Sequence, residues 1–446
     1  MMKVIKTIII ILLCYYRCLM AQSENPFPIS SPEDPYIDND MMVRLDSKIE
    51  NNEYGIVHAV VIILNGYLVF EKYYHKYSRE TLHLLASASK TVTCALIGIA
   101  IDQGKIKGID EKLIDLFPEY SSILNNDPLK RSINLKNLLT MTAGFGGEIA
   151  LNYNKDVVEY MLTLPIEYTP GTVWNYSNGS SMLLSAIIQS RTGKSAEDFA
   201  DSNLFTPLGI STWQWLKTSN NLTITASGLY LRPLDMAVFG QLYLQEGQWN
   251  GKQIISKEWI DESVQVYVKK AKTNRSYGYH IWQFQDSSTI AEILNINDLY
   301  FASGANDQKI YVIPHLNCVI VFTCNGADTE AMLQNEILPS VKDTQNTVIK
   351  STEEKQVYQG IDLNQNLPNP FNEETIISYS IPVSGFTTLK IYSSLGNEIL
   401  TLVSEYQEAG NYSVQFRSIQ LASGIYFYKL SAENRPGKTK KMLLMR

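Results

Sequence analysis

Several things are scarce in this 446-residue chain, and each shortage narrows what it can be. It has only five histidines (His58, His75, His83, His280 and His315), and none stands in a Ser-His-Asp or nucleophile-elbow context. No G-x-S-x-G occurs, so any serine chemistry must find its base elsewhere. Basic charge is not in excess: 38 Lys and Arg face 45 Asp and Glu, for a net charge of −7. That argues against a nucleic-acid partner, which needs a basic face to neutralise phosphates. No apolar run reaches the roughly 20 residues of a membrane span. Of five cysteines, Cys14 and Cys18 fall in the leading segment, leaving Cys94, Cys318 and Cys324. Cys318 and Cys324 share one strand-like run, which puts them roughly 20 Å apart and beyond bridging. They read as buried free thiols used as small hydrophobes. No Cys/His spacing suits a metal, and nothing calls for a cofactor.

What is present begins with an export signal, residues 1–21. Lys3 and Lys6 precede an apolar run from Thr7 to Cys14, and Ala21 offers a cleavage point. An uncleaved anchor is the bland alternative, weakened by Arg17 inside the stretch. Residues 22–40, rich in Pro, Ser, Asn and Asp, read as a tether.

Residues 41–345 read as one α+β domain. Ile56–Leu64 and Tyr67–Tyr73 are β-prone runs around Asn65-Gly66, a strong hairpin signal. Val92, Ala95, Leu96, Ile99 and Ala100 follow helical spacing, with Gly104 placed to stop the helix. From about Asp110 to Leu222, short helical patterns alternate with Pro and Gly breaks. Strand signals return at Gln308–Ile313 and Cys318–Phe322, and Asp328 or Thr329 is placed to cap a last helix. Strands at both ends imply an antiparallel sheet built from the two ends of the domain, with a helical insertion between. Residues 346–362 read as a polar linker. Residues 363–446 carry short alternating strands punctuated by glycine, a small all-β sandwich near the lower size limit for a domain.

Three short patterns carry chemistry. Ser87-Ala88-Ser89-Lys90 lies at the start of the apolar helix, where unpaired N–H groups and the dipole favour a developing anion. A spacing of three puts the Lys90 amine on the face of the Ser87 hydroxyl, although S-x-x-K alone is equally a cap followed by a solvated lysine. Tyr176-Ser177-Asn178 follows Pro170-Gly171 and precedes a helical run from Met182 to Ile188, so the phenol can reach back over Ser87. Ala302-Ser303-Gly304 precedes a strand, and its small residues admit close approach of a substrate. The N–H of Ala305 can join that of Ser87 as an oxyanion-hole donor. His58 alternates within a strand, and His83 lies four residues before Ser87; both read as packing residues.

Taken in order, these patterns resemble the serine β-lactamase-like hydrolases: class C β-lactamases, D-alanyl-D-alanine carboxypeptidases, related esterases and nylon-oligomer amide hydrolases. The likeness spans roughly Leu45 to Val341. Leu138-Leu139-Thr140-Met141-Thr142-Ala143-Gly144, Pro170-Gly171-Thr172, Gly228-Leu229-Tyr230-Leu231 and Asp235-Met236-Ala237 strengthen it. The resemblance implies the β-lactamase/transpeptidase-like fold. It also implies that Ser87 attacks the acyl carbon, Lys90 activates it and Tyr176 serves as general base. Asn178 then holds Lys90 or a substrate amide, while Ser303, Gly304 and Ala305 line the substrate edge. This chain departs at the third pattern, where β-lactamases have Lys-Thr-Gly and many relatives His-x-Gly. Without a cation there, an ester or amide of a neutral acyl group is the expected substrate. The alternatives are a β-lactamase or D-Ala-D-Ala carboxypeptidase, or a catalytically silent binding protein.

The tail resembles type IX secretion C-terminal sorting domains at Leu363-Asn364-Gln365-Asn366-Leu367-Pro368-Asn369-Pro370-Phe371-Asn372. Ser394-Leu395-Gly396, Leu421–Tyr428 and Lys440-Lys441-Met442 carry the same likeness, against a carbohydrate-binding sandwich as the bland reading. It implies the type IX machinery as a partner and a secreted or surface location.

Overall fold

The computed structural model describes residues 25–30, 37–146, 150–270, 275–284, 298–341, 362–366, 368–381, 385–394, 397–408, 410–418, 421–432 and 438–445. The expected signal peptide, part of the tether and nearly all of the linker lie outside them, as do Leu367, Leu395 and Gly396 of the tail motifs. The chain divides into two compact units, Met1–Thr344 and Gln345–Arg446.

The first unit is built on an eight-stranded antiparallel sheet. Its strands are β1 (Gly55–Leu64), β2 (Tyr67–Tyr73), β3 (Val268–Lys270), β4 (Arg275–Tyr277), β5 (Trp282–Phe284), β6 (Tyr300–Gly304), β7 (Gln308–Ile313) and β8 (Cys318–Ala327). They lie in the order β2-β1-β8-β7-β6-β5-β4-β3, so the first hairpin pairs with the last strand through β1 and β8. Asn65 and Gly66 turn the first hairpin with φ of 53° and 80°, the positive values that this dipeptide tolerates.

Both sheet faces are covered, which is why the strands read as near-continuous apolar runs. Val61, Ile63, Ala302, Ile310, Val312, Val319 and Val321 face the helical side. That side includes α2 (Ser89–Asp102), α3 (Asn178–Thr192) and α4 (Pro233–Leu244). Val60, Ile62, Phe301, Tyr311, Ile320 and Phe322 face the other core, which holds α1 (Asn39–Glu50) and the helical stretch from Thr329 to Ser340. Asp38 caps α1 by accepting from the N–H groups of Asp40 and Met41, and Asp328 caps the last stretch. Lys48 on α1 meets Glu336 at 2.7 Å, joining the two elements. Cys94, Cys318 and Cys324 are buried and free, and Cys318 and Cys324 lie in the unbroken strand β8.

The second unit is a two-sheet sandwich of β9 (Asp362–Leu363), β10 (Glu374–Ile381), β11 (Gly385–Ser393), β12 (Glu398–Gln407), β13 (Gly410–Arg417), β14 (Gly424–Ala432) and β15 (Lys438–Leu444). One sheet runs β9-β10-β13 and the other β12-β11-β14-β15. Ile377, Tyr379 and Ile381 from the first meet Leu389, Ile391, Tyr428 and Leu430 from the second in a single core.

Candidate active site

Ser87 sits in a 3-10 turn, Ala86–Ala88, that runs directly into α2. Ala86 before it holds φ at 46°, an uncommon conformation for a residue with a Cβ. Three contacts fix the turn. The Leu85 N–H donates to the Leu229 carbonyl at 2.8 Å. The Ser89 hydroxyl donates to the Ala86 carbonyl at 2.7 Å and accepts from the Leu229 N–H at 3.3 Å. Short strands His83–Leu84 and Leu229–Leu231 pair alongside. The Gly228–Leu231 segment noted in the sequence therefore acts as the splint for the serine turn.

Lys90 is only 1% exposed. Its amine donates to three acceptors: the Ser87 hydroxyl at 3.0 Å, Asn178 Oδ1 at 2.8 Å and the Ala226 carbonyl at 2.6 Å. Burial pulls its pKa down to about 7. The amine also lies 4.9 Å from the centre of the Tyr176 ring. Ser87, Lys90, Tyr176 and Asn178, spread from position 87 to position 178 of the sequence, are thus brought together.

The segments Pro170-Gly171-Thr172 and Leu138–Gly144 explain where Tyr176 stands. The Gly171 N–H donates to the Thr142 carbonyl at 2.8 Å and the Asn175 N–H to the Met141 carbonyl at 2.9 Å. The Asn175 side-chain amide donates to the Phe145 carbonyl at 3.1 Å. These bonds lay the approach to Tyr176 along residues 141–145. Ser177 then caps α3 by accepting from the Ser180 N–H at 3.0 Å, which makes Asn178 the first helical residue.

The third pattern forms the end of β6. A Cβ at Gly304 would stand 2.1 Å from the Leu85 carbonyl oxygen, so only glycine lets this strand close against the serine turn. Asn306 and Asp307 follow with φ of 58° and 63°. They occupy the left-handed positions of the β6–β7 turn, a role in which Asn and Asp substitute for glycine. Ala305, whose N–H was expected in the oxyanion hole, is exposed at the start of this turn.

Four neighbours of the expected site residues were not read from the sequence. Lys309 faces Ser303 in the β6–β7 register, and its amine donates to the Ser303 hydroxyl at 2.8 Å. Lys309 is 5% exposed, and burial lowers its pKa. Having only donors, Lys309 leaves Ser303 as acceptor, so the serine's own proton points elsewhere. His280 is buried against α2: its ring meets the Lys90 carbonyl at 3.2 Å, and its own carbonyl accepts from Thr91 at 2.8 Å. Burial and the neighbouring Lys90 charge push the His280 pKa to about 3. Trp174 and Trp282 complete an aromatic group with Tyr176, their centroids 6.1 and 6.2 Å from its ring. His58 and His83 are packing residues as expected, both ringed against Tyr77 at 4.0 and 4.8 Å. Among the described residues no cluster of His, Cys, Asp or Glu could hold a metal.

Comparison with known proteins bears on the family and the fold. Residues 50–338 match the β-lactamase family and residues 367–445 the secretion system C-terminal sorting domain. A 6-aminohexanoate-dimer hydrolase of Paenarthrobacter ureafaciens is 21% identical, over 71% of this chain and 87% of its own length. A lovastatin esterase of Penicillium rubens is 27% identical over 36% of this chain and 46% of its own. A solved structure from Bacteroides dorei, assigned as a β-lactamase, superposes with a TM-score of 0.54 at 18% identity, covering 65% of this chain and 91% of that one. The superposition shows the fold.

Proposed function

The chain belongs to the β-lactamase family of hydrolases and carries a type IX secretion sorting domain, and from that premise we propose an exported serine hydrolase that cleaves an ester or amide through an acyl-enzyme on Ser87. The observation that carries the proposal is the triply bonded Lys90 amine. Two of its partners, the Ala226 carbonyl and the Asn178 amide oxygen, can only accept. A neutral amine keeps its two protons on them and turns its lone pair to Ser87, the one partner that can also donate. With a pKa near 7 this form is well populated at neutral pH.

Lys90 then takes the Ser87 proton as Oγ bonds to the acyl carbon. The N–H groups of Ser87 and Ala305 meet the developing oxyanion. The tetrahedral adduct collapses, the leaving group departing with a proton passed through Lys90 and Tyr176. Water activated by the same pair frees the acid and restores Ser87. Lys90 thus takes the base role that the resemblance gives to Tyr176, and Tyr176 relays the proton onward to the leaving group. Ala302 stands where relatives place a cation, which favours a neutral acyl group. Ester and amide cleavage accord with the lovastatin esterase and the 6-aminohexanoate-dimer hydrolase among the relatives. The sorting domain supports delivery to the cell surface or the medium by the type IX machinery.

Intact mass spectrometry after incubation with mixed esters, amides and penicillins tests this. An acyl adduct on wild type that is absent from Ser87→Ala is expected; full labelling of Ser87→Ala overturns it. A silent binding protein, the reading that the altered third pattern also permits, would give saturable binding with no adduct.

A further inference from the structure

We propose that the first unit carries a second ligand site, remote from Ser87, that binds a neutral saccharide; it stands independently of the acyl-enzyme reading. The site is a cavity of about 510 Å³ where α4, the turn of the first hairpin and the segment around Phe27 meet. That volume falls in the range of small-molecule sites. Gly66, on its rim, follows the end of β1 at Leu64, which pairs with Cys318. Gly304 and the serine turn stand instead at the level of Phe322, since Gly304 faces Gln308 and Lys309 faces Phe322. The cavity and Ser87 therefore occupy opposite ends of the sheet. Its walls are fixed from three sides. Gln241 on α4 and Gln245 at the C-cap of that helix are one turn apart. A Cβ at Gly240 would stand 2.6 Å from Val319, so glycine lets this helix lie close on the sheet. Gln248–Trp249 and Lys252–Gln253 pair as a tight hairpin, with Asn250 and Gly251 turning it at φ of 49° and 76°. Phe27 meets Trp249 edge-on, centroids 5.9 Å apart at 77°. Its segment is tied to β2, where the Leu68 N–H donates to the Pro28 carbonyl at 2.9 Å and the Ser30 N–H to the Leu68 carbonyl at 3.0 Å.

The lining selects the ligand. Among the described residues no charged side chain lines the cavity, so an ionic ligand would leave its charge unpaired there. Four side-chain amides do line it, those of Gln241, Gln245, Gln248 and Asn250, and a purely apolar ligand would strand their polar atoms. Each amide offers donors and an acceptor together, the pair of functions that a sugar hydroxyl answers. Trp249 and Phe27 add aromatic carbon, against which the C–H face of a sugar ring can lie. Gln241 is 2% exposed, and its Oε1 meets no donor among the described residues. The terminal torsion of glutamine is soft, so this oxygen can turn to a hydroxyl offered from the cavity. A peptide would need a strand edge to pair with, and the strands of this hairpin are each two residues long.

Calorimetric titration of the full chain tests this with cellohexaose, maltohexaose, xylohexaose and laminarihexaose, and with pentaglycine and hexagalacturonate as peptide and acidic counterparts. Saturable binding of at least one neutral oligosaccharide at millimolar concentration or below is expected. Its affinity should fall about tenfold or more in Gln241→Leu and in the double variant Gln245→Ala/Gln248→Ala. The double variant alters exposed residues only, so it decides the matter if Gln241→Leu fails to fold. The same double variant should keep the wild-type rate of Ser87 labelling by a fluorophosphonate. No binding of any neutral oligosaccharide, tighter binding of pentaglycine or hexagalacturonate, or an affinity unchanged in the double variant overturns the proposal. Failure of wild type to acylate at Ser87 removes the function proposed above and leaves this site standing.

Discussion

At the scale of single residues, the account turns on an amine kept out of water. Lys90 loses its proton near pH 7 in the folded chain and near its ordinary 10.5 when unfolded. Between those values the unfolded state binds more protons, so the contribution of this residue to stability rises with pH across that window. Below pH 7 the cost of the buried charge is present in full. Lys90→Met should therefore melt above wild type by the widest margin below pH 7, with the gap narrowing towards pH 10 in calorimetry. In activity, Lys90→Ala and Tyr176→Phe should each lower kcat about 10²-fold or more in ester hydrolysis. The Ser-x-x-Lys pair was legible because both residues lie on one helical face at a fixed spacing. Lys309 was not, because its contact with Ser303 depends on the β6–β7 register and on no short pattern.

At the scale of elements, the serine turn and the end of β6 are held together by the absence of one carbon. Gly304→Ala would drive a methyl into the Leu85 carbonyl and push strand and turn apart. Such overpacking costs about 1–3 kcal/mol. Both a lower melting temperature and slower Ser87 acylation are expected; an unchanged acylation rate would detach β6 from the site. Replacing Asn306 and Asp307 together by glycine should leave acylation within about twofold, since their backbone already adopts values open to glycine. The first hairpin, α2 and the β7–β8 hairpin could be read from turn residues and periodicity. Strand β12 could not: most of its residues are exposed, so no apolar alternation marks it. The aromatic group was equally hidden, since Trp174 and Trp282 are over a hundred residues apart and meet only when β5 joins the sheet.

At the scale of the whole molecule, two units with separate cores divide the labour. Deleting residues 363–446 should leave ester hydrolysis intact in the purified protein while the enzyme is retained inside the producing cell, as fractionation would show. The α+β order and the sorting tail were legible in the sequence because each rests on local patterns in a fixed order. Which substrate the site takes was not, since the surfaces around Ser87 are assembled from segments far apart in the chain. The central claim is that Lys90 receives the Ser87 proton, and the rate of Ser87 acylation by a fluorophosphonate as a function of pH tests it most directly. His83 and His280, held at about 4 and about 3, cannot produce a limb near neutrality. The account predicts a rate that climbs through a midpoint near pH 7 in wild type and loses this limb in Lys90→Met. A profile flat from pH 5.5 to 8.5, or a limb unchanged in Lys90→Met, would contradict it.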